Sequence, residues 1–83
     1  MKFVFKESVA RQIRKLDRLT RIRILKKLQF YTSQENPLRF AEPIKDPQFG
    51  DWRFRIGEYR VLFDVDENKI IILKVGHRKE IYK

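Results

Sequence analysis

Apolar residues along this chain change their spacing four times, and each change predicts an element. Phe3-Val4-Phe5 is a short apolar run of strand type. Ser8 then stands where a helix cap is expected, and Val9, Ile13, Leu16 and Leu19 follow at helical spacing, with Arg11, Arg14, Lys15 and Arg18 on other faces. Thr20 is the expected cap of a second helix. In it Ile24, Leu28 and Tyr31 form one stripe, Ile22 and Leu25 widen it, and Arg21, Arg23, Lys26 and Lys27 stay in water. The two helices are expected to pair as an antiparallel hairpin.

From Thr32 to Asp51 the periodicity stops. Asn36-Pro37, Pro43 and Pro47 exclude a continuous helix or a central strand, and Leu38, Phe40, Ile44 and Phe49 are the residues available to hold the segment against a core.

Period-two alternation then begins at Trp52, in WRFRIGEYRVLF. Gly57-Glu58 fits a two-residue turn with glycine first, which pairs Ile56 with Tyr59, Arg55 with Arg60, Phe54 with Val61 and Trp52 with Phe63. Trp52, Phe54 and Ile56 point to one face, Arg53 and Arg55 to the other. A further turn is expected at Asp66-Glu67-Asn68, with Asn68 left-handed. A three-residue loop there sets Lys74 opposite Arg60, and Arg78 continues the same face. The pattern predicts an α+β domain spanning residues 1–83: a short N-terminal strand, a helical hairpin, and a mainly antiparallel β-meander packed on the helices.

Composition sharpens this picture. The chain has 83 residues, enough for one small core, and its 42% hydrophobic share argues against disorder. Twenty Lys and Arg against eleven Asp and Glu leave a formal charge of +9, which favours polyanionic partners. There is no cysteine, hence no disulfide, thiolate nucleophile or thiolate metal ligand. MKFVFKES is too short in apolar residues for a signal peptide, and no run approaches a membrane span, so a cytoplasmic protein without a membrane partner is expected.

Folding does not require two arginines to face each other, since like charges opposed on a sheet cost a few tenths of a kcal/mol. Arg53, Arg55, Arg60, Lys74 and Arg78 on one surface suit phosphate oxygens, because guanidinium donors form a planar fork. The plainer alternative is that they are scattered surface charges, or partners of Glu58, Asp64 and Glu80. His77 is the lone histidine, a side-chain type that can move a proton or serve as a hydrogen-bonded support. Tyr82 offers a ring and a hydroxyl, or a plug over the core. Asp64, Asp66 and Glu67 alternate across the strand and read as a solvated turn, so no metal is expected.

The block W-R-F-R-I-G-E-Y-R-V (52–61), followed by V-G-H-R-K-E-I-Y (75–82), resembles the RelE/ParE superfamily of toxin–antitoxin systems, in its RelE branch. The resemblance covers essentially the whole chain and implies a RelE-like fold. It further implies a ribosome-dependent endoribonuclease that cuts mRNA in the decoding site without cofactor or metal. In that chemistry the RNA's 2′-hydroxyl attacks the adjacent phosphate and leaves a cyclic phosphate. By motif position Arg60 and Arg78 stabilise the phosphate, Arg53 and Arg55 stand where some members carry catalytic lysines, and Tyr82 takes the place of a base-stacking or active-site tyrosine.

One departure bears on mechanism. Arginine keeps its proton at any working pH and is a poor general base, so Arg55 does not replace a lysine in that role. His77 is the expected substitute, with Lys45 in the preceding loop a weaker one, and alignment by the ribosome can contribute without any base. The implied partners are the 70S ribosome with its mRNA, and a cognate antitoxin whose C-terminal segment covers the basic groove in a higher-order complex. Two rival readings remain open on the sequence: a ParE-like poison of DNA gyrase, and a basic RNA-binding module without catalysis.

Overall fold

The computed structural model describes residues Met1–Lys83 and contains a five-stranded sheet with two helices sharing its core. In chain order the elements are β1 (Lys2–Phe5), α1 (Glu7–Arg14), α2 (Arg18–Ser33), β2 (Ala41–Pro43), β3 (Trp52–Ile56), β4 (Tyr59–Asp66) and β5 (Lys69–His77). The strands lie in the order β1-β5-β4-β3-β2. All pairs are antiparallel except β1 with β5, where Phe3 lies beside Ile70 and Phe5 beside Ile72. No helix is long and apolar enough to cross a membrane.

The core forms where the apolar stripes meet. Val9 and Ile13 of α1 and Ile24, Leu28 and Tyr31 of α2 pack with Phe54, Ile56, Val61, Phe63, Ile70, Ile72 and Val75 of the sheet. Phe54 stacks on Tyr31 at 4.5 Å and on Phe63 at 4.4 Å, so one aromatic column ties α2 to the two central strands. Leu16 and Leu25 pack at its margin, as their spacing predicts, and Leu38 holds the proline-bearing segment there.

Helix boundaries differ from expectation in ways that local chemistry explains. Ser8 is not a cap: α1 already begins at Glu7, and the residue before it, Lys6, makes no side-chain cap bond. The second helix is capped by Asp17, not Thr20, because the Asp17 carboxylate accepts from the Thr20 N–H at 3.1 Å and from the Thr20 hydroxyl. Leu19 therefore belongs to α2, where it is 78% exposed and no part of the buried stripe. Ile22 is also exposed.

Residues 34 to 51 are neither helix nor central strand. Pro37–Phe40 and Pro47–Phe49 form single 3₁₀ turns capped by Asn36 and Asp46, each accepting from an N–H two residues on. Between them β2 adds to the sheet edge, where Pro43 is tolerated.

The β3–β4 hairpin has the predicted register at every pair from Ile56–Tyr59 to Trp52–Phe63. Gly57 takes φ 59° and Glu58 does not, as a type II′ turn requires. The next turn is one residue shorter than expected: Asp66 pairs with Lys69, and Glu67, not Asn68, is left-handed at φ 54°. Further along, a bulge between Leu62 and Phe63 leaves Leu73 unmatched, so Lys74 lies opposite Leu62 and Gly76 opposite Arg60. The two one-residue displacements add to two. Lys74 is therefore on the arginine face, but two ladder positions further from the β3–β4 turn.

Candidate functional site

Alternation sends Arg53 and Arg55 of β3 and Arg60 of β4 to the face opposite the helices, because Phe54, Ile56 and Val61 are committed to the core. Arg78 follows β5. Its backbone N–H donates to the Glu58 carbonyl at 2.8 Å, and its Nε lies 2.7 Å from Glu58 Oε2, so the β3–β4 turn holds it from both ends. Three of these guanidinium groups act on the fourth. Burial first, and then the charges of Arg55, Arg78 and Arg53, push the Arg60 guanidinium below its usual range.

Arg60 is the one buried charged residue of the protein, at 8% exposure. Its Nη1 donates to the Gly57 carbonyl at 2.9 Å and to its neighbour Tyr59's carbonyl at 2.8 Å. No side-chain polar atom in the protein is both buried and unpaired, so the remaining Arg60 donors open to solvent at the floor of the site. An oxyanion placed there would meet donors already fixed by the turn.

Two carboxylates sit among these cations. Glu42, on β2 opposite Arg53, bridges two of them: Oε1 is 3.3 Å from Arg53 Nε and Oε2 3.6 Å from Arg55 Nη1. Glu58 pairs with Arg78. Asp64 and Glu80 play no such part, since Asp64 accepts from the Asp51 N–H at 2.8 Å and Glu80 pairs with Lys83.

The C-terminal residues fold back over the same face. Ile81 is buried and lies against Gly76, where an added Cβ would be 3.2 Å from its Cδ1. The Ile81 carbonyl accepts from Lys74 Nζ at 2.8 Å, which commits that ammonium to holding the tail. Tyr82 packs edge-on against Phe49 at 5.1 Å, and its hydroxyl oxygen accepts from Arg53 Nη1 at 2.9 Å. That bond, ahead of the Glu42 contact, holds the Arg53 guanidinium above its usual range. Lys45 lines a depression of about 330 Å³ with Phe49, Arg53 and Tyr82, so the 3₁₀ segment supplies the rim of the site.

His77 lies elsewhere. It pairs with Tyr59 in the β4–β5 ladder, one residue out of phase with Arg60 and Gly76, and therefore points to the helix side. Its ring meets Tyr59 edge-on at 5.5 Å and its Nδ1 accepts from the Lys79 N–H at 3.1 Å. Arg53, Arg55, Arg60, Arg78, Tyr82 and Lys45 are brought together; Lys74 stands alongside as a strut, and His77 is on the other side of the sheet. Sequence reasoning missed Glu42 and Phe49. The signal available for Glu42 was a carboxylate just before Pro43 at a strand edge, which acquires meaning only once β2 is known to pair with β3.

A family described as "ParE toxin of type II toxin-antitoxin system" has a profile that matches residues 3–82. The "Toxin RelG" of Mycobacterium tuberculosis is 37% identical over 49 residues, 57% of this chain and 56% of that toxin, so the chain spans about half the length of the curated relative it matches. Among solved structures, the toxin–antitoxin complex RelBE2 from Mycobacterium tuberculosis superposes with a TM-score of 0.80 at 28% identity, over 93% of this chain and 96% of the other. The RelB–RelE antitoxin–toxin complex from Methanococcus jannaschii gives a TM-score of 0.68 at 26% identity, over 96% and 95%.

Proposed function

The chain belongs to the ParE toxin family of type II toxin–antitoxin systems, within the RelE/ParE superfamily, and from that premise we propose that it is a ribosome-dependent endoribonuclease that cuts mRNA in the decoding site. The observation that carries this reading is the convergence of Arg53, Arg55, Arg60 and Arg78 on one face, with Arg60 buried and its charge disfavoured by the other three. A site that concentrates like charge this way is relieved by an incoming polyanion. It is most relieved when that anion gains charge, as a phosphate does on becoming a phosphorane.

In this mechanism Arg60 and Arg78 hold the non-bridging oxygens of the scissile phosphate. The Glu42 carboxylate, which stands between Arg53 and Arg55, accepts the proton of the RNA 2′-hydroxyl as its oxygen attacks phosphorus. Tyr82 accepts from Arg53 and so keeps its own proton to donate toward the leaving 5′-oxygen. The products are a 2′,3′-cyclic phosphate and a free 5′-hydroxyl. His77, which faces the helices, supports the Tyr59 end of the sheet and takes no part in proton transfer.

The cell partner is a cognate antitoxin whose C-terminal segment covers the basic groove within a higher-order complex, and the site of action is the cytoplasm. Both solved relatives are complexes with an antitoxin, which supports this reading. The ParE name of the matching family keeps a second reading in play, a poison of DNA gyrase without nuclease chemistry. The test is to incubate the purified protein with a programmed ribosome whose decoding site is empty, and with naked RNA, both in EDTA, and to analyse the 3′ ends. Ribosome-dependent cuts ending in cyclic phosphate support the nuclease. Intact mRNA alongside gyrase-dependent DNA breaks would replace it with the second reading.

A further inference from the structure

The sheet face opposite the helices carries a second, smaller apolar patch. Leu62 and Ile81 are both buried, yet both stand outside the main core. Leu62 pairs with Arg53 on one side and with Lys74 on the other, so it lies on the arginine face. There it lines a slot of about 480 Å³ together with Leu73, the residue that the β4–β5 bulge leaves unmatched. Phe49 lines both this slot and the depression that holds Arg53 and Tyr82, so the two adjoin. Lys6 and Asp64 complete its polar margin.

Two features define the slot. At Gly50, with φ 106°, the backbone comes so close that an added Cβ would be 2.7 Å from Leu73 Cδ1 and 3.3 Å from Asp64 Oδ1. The Asp64 carboxylate is anchored at one oxygen, where Oδ1 accepts from the Asp51 N–H at 2.8 Å. Its Oδ2 takes no hydrogen bond from the protein and is not sealed from solvent. The ion pairs of the protein all lie elsewhere. A carboxylate that can only accept therefore borders an apolar slot with one oxygen free.

From this geometry we propose that the slot is a subsite for an amino-bearing nucleobase, one nucleotide away from the phosphate at the arginines; the proposal rests on the reading that RNA lies along this face. Leu62 is two residues along β4 from Arg60, about 7 Å, which a single nucleotide spans. Leu62, Leu73 and the Phe49 ring offer apolar surface to the planes of a base, and the volume is that of an ordinary small-ligand site. Asp64 selects among bases. Its free oxygen accepts from the exocyclic amino group of guanine, cytosine or adenine, whereas uracil sets a carbonyl on either side of its one N–H and meets the carboxylate unfavourably. Lys6, exposed at the margin, suits the next phosphate along the strand. An acidic peptide segment is disfavoured here, because its carboxylates would face that of Asp64.

The probes are 2′-O-methyl RNA heptamers, which lack the attacking hydroxyl and stay intact: oligouridylate, and the same strand with a central guanosine, cytidine or inosine, the last being guanosine without its amino group. Binding is followed by fluorescence anisotropy at two salt concentrations and mapped by amide chemical shifts. The expected result is that the guanosine and cytidine strands bind about fivefold or more tightly than oligouridylate and inosine strands, and shift the amides of Phe49, Gly50, Asp64 and Leu73. Salt weakens all four strands, and the ratio between them persists. Asp64→Asn retains an oxygen for the Asp51 N–H but puts an amide N–H in place of the free oxygen, so it loses or reverses the preference; its melting temperature checks the fold. Lys6→Ala weakens all strands alike. Equal binding of the four strands, no binding, shifts confined to Arg53–Arg60, an unchanged preference in folded Asp64→Asn, or a glutamate-rich peptide that displaces the RNA from the slot amides overturns the proposal. Because the probes are not cut, base preference at the slot survives a negative ribosome assay, and mRNA cleavage without base preference defeats the slot alone.

Discussion

Arg55 and Arg60 lie directly opposite one another on β3 and β4. The pair survives because the two guanidinium groups are handled differently: Arg60 folds onto the carbonyls of its own turn, while Arg55 stays exposed and leans on Glu42 at 3.6 Å. The arrangement still disfavours the charge on Arg60. Since that guanidinium ionises less readily in the folded protein than in the unfolded chain, its charge opposes folding at every pH at which arginine is ionised.

Arg60→Met is therefore expected to leave the melting temperature unchanged or raise it, while cleavage on the ribosome falls by about 10²–10³, the usual loss for an oxyanion donor. Calorimetry and a single-turnover cleavage assay on the same preparation check this. A melting temperature several degrees lower would mean that the bonds to Gly57 and Tyr59 outweigh the repulsion.

Glu42→Gln separates proton transfer from binding. The Glu42 pairs with Arg53 and Arg55 are partly exposed, so stability is expected to change by no more than about 1 kcal/mol. The cleavage rate should drop by ~10²–10⁴ with mRNA affinity held or improved, because one negative charge leaves the site. If His77→Ala is the variant that loses rate and Glu42→Gln is not, the assignment of the acceptor is wrong.

Acid sensitivity has one local source at the start of α2. The hydroxyl and then the N–H of Thr20 hold the Asp17 carboxyl below its ordinary range. A carboxyl lowered by folding stabilises the protein above pH 3.8, its ordinary value, and that contribution is lost as pH falls through the folded value. Asp17→Ala should melt lower than the unaltered protein at neutral pH, and the gap should close in acid. A gap that is the same at pH 7 and pH 2.5 would show that the cap does not act through its charge.

The aromatic column predicts an order of core substitutions. Phe54 is fully buried between Tyr31 and Phe63, so Phe54→Ala is expected to cost ~3–5 kcal/mol. Trp52 shares its face but is only partly buried near the sheet edge, and Trp52→Ala should cost less. Denaturant titrations of both variants test the order, and the reverse order would put the centre of the core at the wrong end of β3.

Much of this protein is determined by local rules that act over a few residues. A two-residue glycine-first turn leaves one register for β3 and β4, and that register alone places Arg53, Arg55 and Arg60 on one face, away from Trp52, Phe54 and Ile56. Helical spacing likewise identifies Ile24, Leu28 and Tyr31 as buried, because one stripe of α2 has to meet the sheet. What the local rules leave undecided depends on contacts between distant segments. Glu42 becomes part of the site only because β2 pairs with β3, and Tyr82 only because the tail folds over Gly76 to reach Arg53. Lys74 reached the expected face through a shorter turn and a bulge whose shifts add to two, whereas His77 is carried to the far side by strict alternation with Gly76. Leu19 and Ile22 have the spacing of core residues and are exposed, because a helix can bury only one stripe against a single sheet.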